Sequence, residues 1–126
     1  MDGLIIKHKW LDLILKGQKT IEVRGSDTKK QGETIYLLES GTSKVVGTCK
    51  IAATYPISCS DWSEERENHC VDISYNDLKR RYPNPYAWVL KDVQPLDKEM
   101  YYKHPKGAVI SVSYTHLRAH ETGAYL

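Results

Sequence analysis

A chain of 126 residues fits one domain, which can bury a hydrophobic core without disulfides or metals. Its 18 basic and 16 acidic residues leave a net charge of only +2, which excludes the strongly basic balance of a protein that holds long nucleic acid by phosphate contacts alone. A single nucleoside, a short RNA end or another small molecule is the expected partner.

The three cysteines, Cys49, Cys59 and Cys70, are odd in number and form no C-x-x-C pair. This pattern argues against a secreted disulfide framework and favours a reducing compartment, so we expect a cytoplasmic protein. The first ten residues contain only three apolar residues in a row, which predicts neither a signal peptide nor a membrane span. We therefore expect no membrane partner.

Hydrophobic periodicity predicts an alternation of short strands with a few short helices. In chain order, the pattern predicts a strand at 3–7, a helix at 9–16, strands at 19–24, 33–38 and 44–53, a short helix or loop at 59–67, a helix at 74–81, a strand at 86–93, a loop or irregular edge at 95–105, and a strand at 107–112. No long helices separate the strands, which argues against a doubly wound parallel sheet.

Particular residues mark the helix ends. Gly17 suits the left-handed position that follows a helix. Ser60 could cap the short helix or loop at 59–67, and Ser74 with Asp77 three residues later has the spacing of a capping box. Pro83 ends the helix that Ser74 begins, because proline cannot continue it.

These elements predict an α+β fold over residues 1–112: a small, mostly antiparallel β-barrel with two or three peripheral helices. Residues 113–126 show no docking pattern and resemble translated vector sequence, so we expect a non-native or disordered tail. His116 and His120 within it are four residues apart. Metallohydrolase motifs place a glutamate between two such histidines, so we expect no metal site there.

The candidate catalytic residues lie on the predicted strand KTIEVR. Thr20, Glu22 and Arg24 would project to one side of that strand, with Lys19 at the preceding turn. Glu22 could take a proton from water while Lys19 or Arg24 stabilises a developing oxyanion. The alternative, which spacing alone favours, is a solvated strand face with a Glu–Arg pair worth at most about 1 kcal/mol.

Candidate substrate-binding residues surround this cluster: Lys7, Trp10, Arg24, His69 and Tyr86. An aromatic ring can stack on a pyrimidine, worth about 1–3 kcal/mol per base. Trp10 is equally suited to a hydrophobic core, Lys7 to a solvated strand edge, and a lone histidine is more often structural than catalytic. The basic run at 79–81 suits a helix C-terminus and could also contact a phosphate.

Several segments together resemble the ASCH family, which is related to PUA-like RNA-binding barrels: LIIKHKWLDLILKGQKTIEVRG, TKKQGETIYLLESG, VVGTCKI, YAWVLKDV and KHPKGAVI. The resemblance covers roughly residues 3–112 and implies the barrel. Its members include small bacterial amidohydrolases that remove the acyl group from N4-acetylcytidine, using a lysine and a threonine of a K-T-x-T segment and a distant glutamate. Lys19 matches that lysine, Glu22 replaces the second threonine, and the distant glutamate has no clean match.

The leading hypothesis is an amidohydrolase that acts without metal or cofactor on N4-acylcytidine or a related acylated pyrimidine nucleoside. Lys19, Glu22 and Thr20 would be its catalytic residues. The alternatives are a non-catalytic RNA-binding ASCH module and a ribonuclease, although a nuclease would more naturally carry a carboxylate cluster or paired histidines. We expect a monomer or a weak dimer.

Overall fold

The computed structural model describes residues 2–102, 109–111 and 117–119. In chain order the elements are β1 (Asp2–Ile6), α1 (His8–Leu15), β2 (Ile21–Arg24), β3 (Thr34–Glu39), β4 (Lys44–Pro56), α2 (Cys59–Glu64), α3 (Arg66–His69), α4 (Tyr75–Arg81), β5 (Tyr86–Tyr102), β6 (Val109–Ser111) and β7 (Leu117–Ala119). Gly17 follows α1 with a φ of +79°, as its position after a helix predicts.

The strands form one mixed sheet in the order β2-β5-β4-β3-β1-β6, with β7 paired to β5. The β1–β3 pair is parallel and the other described pairs are antiparallel, so the predicted α+β class and mostly antiparallel sheet are confirmed. β2 and β6 lie at opposite ends of the order, and the described residues show no ladder between them. Closure into a barrel therefore stays a prediction.

β5 is longer than predicted. The loop or irregular edge expected at 95–105 is wrong for residues 95–102, which continue the strand against β4 and β7. Three register shifts along the β4–β5 pair, and a positive φ of 52° at Asp92, let two long strands bend without losing their pairing. Residues 103–105 of the expected loop lie outside the described residues.

The helical part also differs in detail, since the segment expected at 59–67 divides into α2 and α3. Ser58 caps α2, not Ser60, because the helix begins at Cys59, two residues earlier than a Ser60 cap requires. The Ser58 hydroxyl accepts from the Asp61 amide, and the Asp61 carboxylate accepts from the Ser58 amide. Ser74 caps α4 as predicted, accepting from the Asp77 amide. The described part thus has four short helices where two or three were expected.

Two of the three hydrophobic clusters of the described residues position the helices. The first packs α1 onto the sheet, with members that include Leu4, Leu11, Ile14, Leu37, Ile51 and Trp88. The second, called the second core cluster below, packs α2 and α4 onto β2 and β5 through Ile21, Ile57, Trp62, Leu78 and Ala87. The space between α1 and α2–α4 therefore has a rigid wall on each side.

The C-terminal residues are described only in part. Leu117–Ala119 forms β7 and pairs with Met100 to Tyr102 of β5. The rest of the predicted tail, with His116 and His120, lies outside the described residues, so the domain boundary at 112 stays a prediction. None of the described helices has the length and apolar character needed to cross a bilayer.

Candidate functional site

A cavity of about 650 Å³, a volume typical of small-molecule sites, opens between the N-terminal elements and the helical segment. The β1–α1 side contributes Ile5, Ile6, Lys7, Lys9 and Trp10. The floor, from the turn into β2 and β2 itself, contributes Lys19, Glu22, Val23 and Arg24. The opposite wall, from α2 to the end of α4, contributes Trp62, Val71, Ile73, Leu78, Arg81 and Tyr82.

Glu22 is buried on this floor, with 7 % of its side chain exposed. Arg24 donates to its Oε2 from both Nε and Nη2, at 3.2 and 2.9 Å. The Val23 amide reaches Oε1 at 3.3 Å, and Lys19 Nζ lies 3.8 Å from the same oxygen. The carboxylate is therefore held by its partners in one orientation toward the cavity.

Lys19 is almost completely buried, with 1 % of its side chain exposed. Its ammonium donates to the backbone carbonyl of His69 and lies 4.9 Å from the centre of the Trp10 ring. Burial lowers the pKa of Lys19 from its ordinary value, and the nearby Glu22 carboxylate offsets part of that decrease. A lysine in this setting can exchange a proton with a bound reactant more readily than a solvated one.

Trp10 forms an aromatic wall beside this pair. It lies partly buried on α1, packs against the first hydrophobic cluster, and presents its ring to both Lys19 and Lys9, whose Nζ is 4.6 Å from the ring centre. Trp10 therefore both packs against the hydrophobic core and lines the cavity. Lys7, at the turn between β1 and α1, is exposed and lines the cavity.

Arg24 also joins two strands that are not neighbours in the sheet. Its Nη2 donates to the backbone carbonyl of Ile5 in β1 at 2.7 Å. β2 and β1 therefore lie close together across the cavity floor, although β5, β4 and β3 separate them in the strand order. Five of the predicted site residues, namely Lys7, Trp10, Lys19, Glu22 and Arg24, meet in this place.

His69 lies elsewhere than predicted. Its side chain is 2 % exposed, stacks on Trp62 with ring centres 3.7 Å apart, and is not among the cavity-lining residues. Nδ1 accepts from the Val71 amide at 3.0 Å and Nε2 contacts the Trp62 carbonyl at 2.8 Å, which requires the neutral Nε2–H tautomer. Burial lowers the pKa of His69 accordingly. Its backbone carbonyl, not its ring, serves the site by holding Lys19.

Thr20 and Tyr86 are also not brought to the cavity. β2 begins only at Ile21, so the alternation expected from position 19 does not hold at Thr20, whose side chain is exposed. Its backbone instead bonds to the Asn68 carbonyl and the Leu90 amide. Tyr86 is half-buried against the first hydrophobic cluster and pairs with Arg24 across the β2–β5 ladder. Neither residue lines the cavity.

The apolar wall from α2–α4 was missed by sequence reasoning. Its residues belong to short helices and turns whose local pattern does not show which face another segment will cover. The sequence indicates Arg81 only as part of a basic run at a helix C-terminus, and it indicates Pro83 only as a helix end. Among residues 2–102, 109–111 and 117–119, no group of three or more His, Cys, Asp or Glu side chains is placed to hold a metal ion.

Comparison with known proteins identifies the fold. The family model of the ASCH domain matches residues 4–100. The crystal structure of ASCH from Zymomonas mobilis aligns over 91 % of this chain and 89 % of that chain, with a TM-score of 0.70 and 15 % identity. Serine-to-alanine and tyrosine-to-phenylalanine mutants of that protein align over 91 % of this chain and 89 % and 91 % of theirs, each with a TM-score of 0.68 and 17 % identity. No functionally curated protein matches the sequence.

Proposed function

This chain belongs to the ASCH domain family, and from that premise we propose that it is an amidohydrolase that removes the acyl group from N4-acylcytidine or a related acylated pyrimidine nucleoside. The observation that carries the proposal is the convergence of Lys19 and Glu22, both buried, on one cavity beside the Trp10 ring. A solvated strand face, the alternative for these residues, would leave them exposed. Their burial in a cavity floor favours a functional role.

In the proposed reaction, Glu22 activates water. Arg24 occupies Oε2, whereas Oε1 has only a long contact with the Val23 amide and the 3.8 Å approach of Lys19. Oε1 therefore accepts a proton from a water molecule, whose oxygen attacks the carbonyl carbon of the acyl group. The addition gives a tetrahedral intermediate with a negative charge on the former carbonyl oxygen.

Lys19 has the complementary role. Its ammonium stabilises the oxyanion, which then collapses as the bond between the acyl carbon and N4 breaks. A proton passes to N4 from Lys19 or from the protonated Glu22, and the products are cytidine and a carboxylic acid. A neutral Lys19 acting as the base is the alternative, and the lowered pKa of Lys19 is compatible with it. The two versions predict opposite dependence of the rate on alkaline pH.

Trp10 would hold the pyrimidine ring by stacking, and Lys7 would lie near the ribose at the cavity mouth. Arg24 orients Glu22, and the His69 carbonyl orients Lys19, so both are positioning groups in this proposal. Thr20, His69 through its ring, and Tyr86 have no part in it, because the structure places those side chains outside the cavity.

We also propose that the sheet closes into a PUA-like barrel and that the protein is cytoplasmic. The hydrogen bond from Arg24 to the Ile5 carbonyl supports closure of the curved sheet between β2 and β1. A cytoplasmic location is supported by Cys49, Cys59 and Cys70, which are free thiols in the structure. We further propose that the protein is a monomer or a weak dimer.

A non-catalytic RNA-binding module is the second candidate function, and the cavity mouth favours it. Lys7, Lys9 and Arg81 line the cavity, are exposed, and in the described part of the chain form no ion pair with a carboxylate. Three such cations can contact phosphates of a short single strand. This arrangement is compatible with either a binding module or a hydrolase that acts on RNA.

The decisive experiment incubates the purified protein with N4-acetylcytidine and with a short RNA, each with and without chelator. Cytidine release that survives the chelator supports the amidohydrolase. RNA cleavage lost with the chelator would point to a metal-dependent ribonuclease, and tight RNA binding without turnover to the binding module. Glu22→Gln and Lys19→Arg are compared with Glu64→Gln and Lys50→Arg, two exposed residues outside the cavity. Near-normal turnover in both site variants would overturn the proposed mechanism.

A further inference from the structure

The cavity has two chemically different halves. The β1–α1 side and the floor carry cations, one carboxylate and the Trp10 ring. The facing side carries five apolar or aromatic residues, called the helical wall below, beside the single cation Arg81: Trp62, Val71, Ile73, Leu78 and Tyr82. The proposed chemistry at Lys19 and Glu22 uses the first half only. The helical wall therefore has no role in the proposed chemistry at Lys19 and Glu22.

Ile73 is the part of the helical wall most open to solvent. At 38 % exposure it is the large hydrophobic residue left exposed among the residues that the structure describes. It lies between α3 and α4, and its backbone carbonyl accepts from the Trp62 indole N–H at 2.8 Å. This bond ties the segment to α2, and Ile73 lines the cavity from there.

The rest of the helical wall is rigid before any ligand binds. Trp62 is 5 % exposed and stacks on His69, and Leu78 is buried in the second core cluster. The Tyr82 ring lies so close to Gly25 that a Cβ at position 25 would be 2.8 Å from Tyr82 Cδ1. An apolar group entering the cavity would meet a preformed surface, so little ordering of side chains would oppose its binding.

The positions of the other groups direct one part of the substrate to this wall. The acyl carbonyl must lie at Lys19 and Glu22, and the pyrimidine ring against Trp10 on the β1–α1 side. The remainder of the acyl group must then occupy the rest of the same cavity, whose lining includes Val23, beside Glu22, and the helical wall. The methyl group of an acetyl would fill only a small part of a cavity of about 650 Å³.

From this arrangement we propose that the helical wall is an acyl-binding subsite, and that the preferred substrates carry an N4-acyl group longer than acetyl. The inference rests on the proposed amidohydrolase function and specifies its substrate class. Burial of each additional methylene against an apolar surface strengthens binding about fourfold. Since the chain contacts the wall in both ground and transition states, the gain is expected in kcat/KM, mainly through KM.

The test compares N4-acetylcytidine with N4-butyrylcytidine. With two more methylenes, the butyryl compound is expected to have a roughly 15-fold higher kcat/KM. Ile73→Ser is expected to lower the butyryl-to-acetyl ratio several-fold, and Ile73→Leu to retain it. Leu96→Ser, at a half-buried position of β5 outside the cavity, controls for a general loss of apolar surface and is expected to leave the ratio unchanged.

Binding measurements separate failure of this inference from failure of the proposed function. N4-Ethylcytidine and N4-butylcytidine lack the carbonyl, so their affinities are measured by calorimetry without turnover. If the protein hydrolyses the acetyl and butyryl compounds with equal kcat/KM, the proposed hydrolase function is retained and the acyl-binding subsite is overturned. No turnover, with tighter binding of the butyl compound that Ile73→Ser abolishes, overturns the hydrolase and supports an apolar subsite. Equal kcat/KM for the two acyl compounds, together with equal affinities for the two alkyl compounds, overturns the inference.

Discussion

Arg24 and Glu22 are two residues apart on β2, and Arg24 directs both Nε and Nη2 to the same carboxylate oxygen, Oε2 of Glu22. Residues i and i+2 of a strand share a face, so the pairing follows from the local backbone. The other oxygen of Glu22 faces Lys19 Nζ at 3.8 Å. One buried carboxylate thus compensates the charges of two cations. Removal of Glu22 and removal of Lys19 should therefore change the free energy of unfolding by unequal amounts.

Glu22→Gln is therefore expected to destabilise the fold more than Lys19→Met does. The first change leaves two cations without a counter-charge and is expected to lower the free energy of unfolding by about 3 kcal/mol. The second removes a buried ammonium and leaves the Glu22–Arg24 pair intact, so the change is expected to stay within about 1 kcal/mol. Urea unfolding at pH 7 measures both, and equal losses would contradict this unequal dependence.

The rate of acyl-cytidine hydrolysis is expected to fall at alkaline pH. Burial lowers the pKa of Lys19 below its ordinary value of 10.5, and the oxyanion requires the ammonium form, so activity is lost as pH rises through that lowered pKa. In Lys19→Arg the residual activity should persist to higher pH, because a guanidinium stays charged. The profile of kcat/KM against pH tests this. A rate that rises through the same range would instead identify neutral Lys19 as the base.

The stability of the protein is expected to decrease between pH 7 and pH 5 because of His69. Burial lowers the pKa of His69 from 6.5, so the unfolded chain takes up a proton at a higher pH than the folded one does. Its contribution is fully present above about pH 6.5 and is lost as pH falls through the folded pKa. Urea unfolding across this range measures the loss, and the NMR titration of the His69 ring checks the assignment. A titration midpoint at or above 6.5 would contradict it.

Trp10 is expected to contribute more to substrate binding than to the chemical step. Trp10→Leu keeps an apolar residue on α1 but removes the stacking surface, which should raise KM by about 5-fold to 150-fold, from a loss of about 1–3 kcal/mol. Trp10→Phe should retain part of the affinity. Steady-state kinetics with N4-acetylcytidine separates KM from kcat, and thermal unfolding of both variants controls for lost packing. An unchanged KM in Trp10→Leu would exclude the stacking role.

The packing of α2 and α3 explains why the predictions from sequence for residues 59–69 were incomplete. The segment after β4 has the polar composition of a loop, yet it folds into α2 and α3 because Ser58 caps it and Trp62 packs inward. His69 was expected to contact substrate, as a histidine in a polar segment. Only the packing of Trp62 against its ring shows that it is a buried structural residue.

Local pattern in the sequence determined the strand and helix positions, the end of α1 at Gly17, the Ser74 cap, the ASCH relationship, and the grouping of Lys19, Glu22 and Arg24 on one short segment. These features depend on neighbours within a few residues, where backbone periodicity and turn chemistry act. The tertiary structure alone decided that Lys19 is buried, that His69 offers its carbonyl and not its ring, and that α2–α4 form the wall of the cavity. Such features depend on contacts between separate elements, such as that of Lys19 with the His69 carbonyl 50 positions away, and no local periodicity can specify such partners.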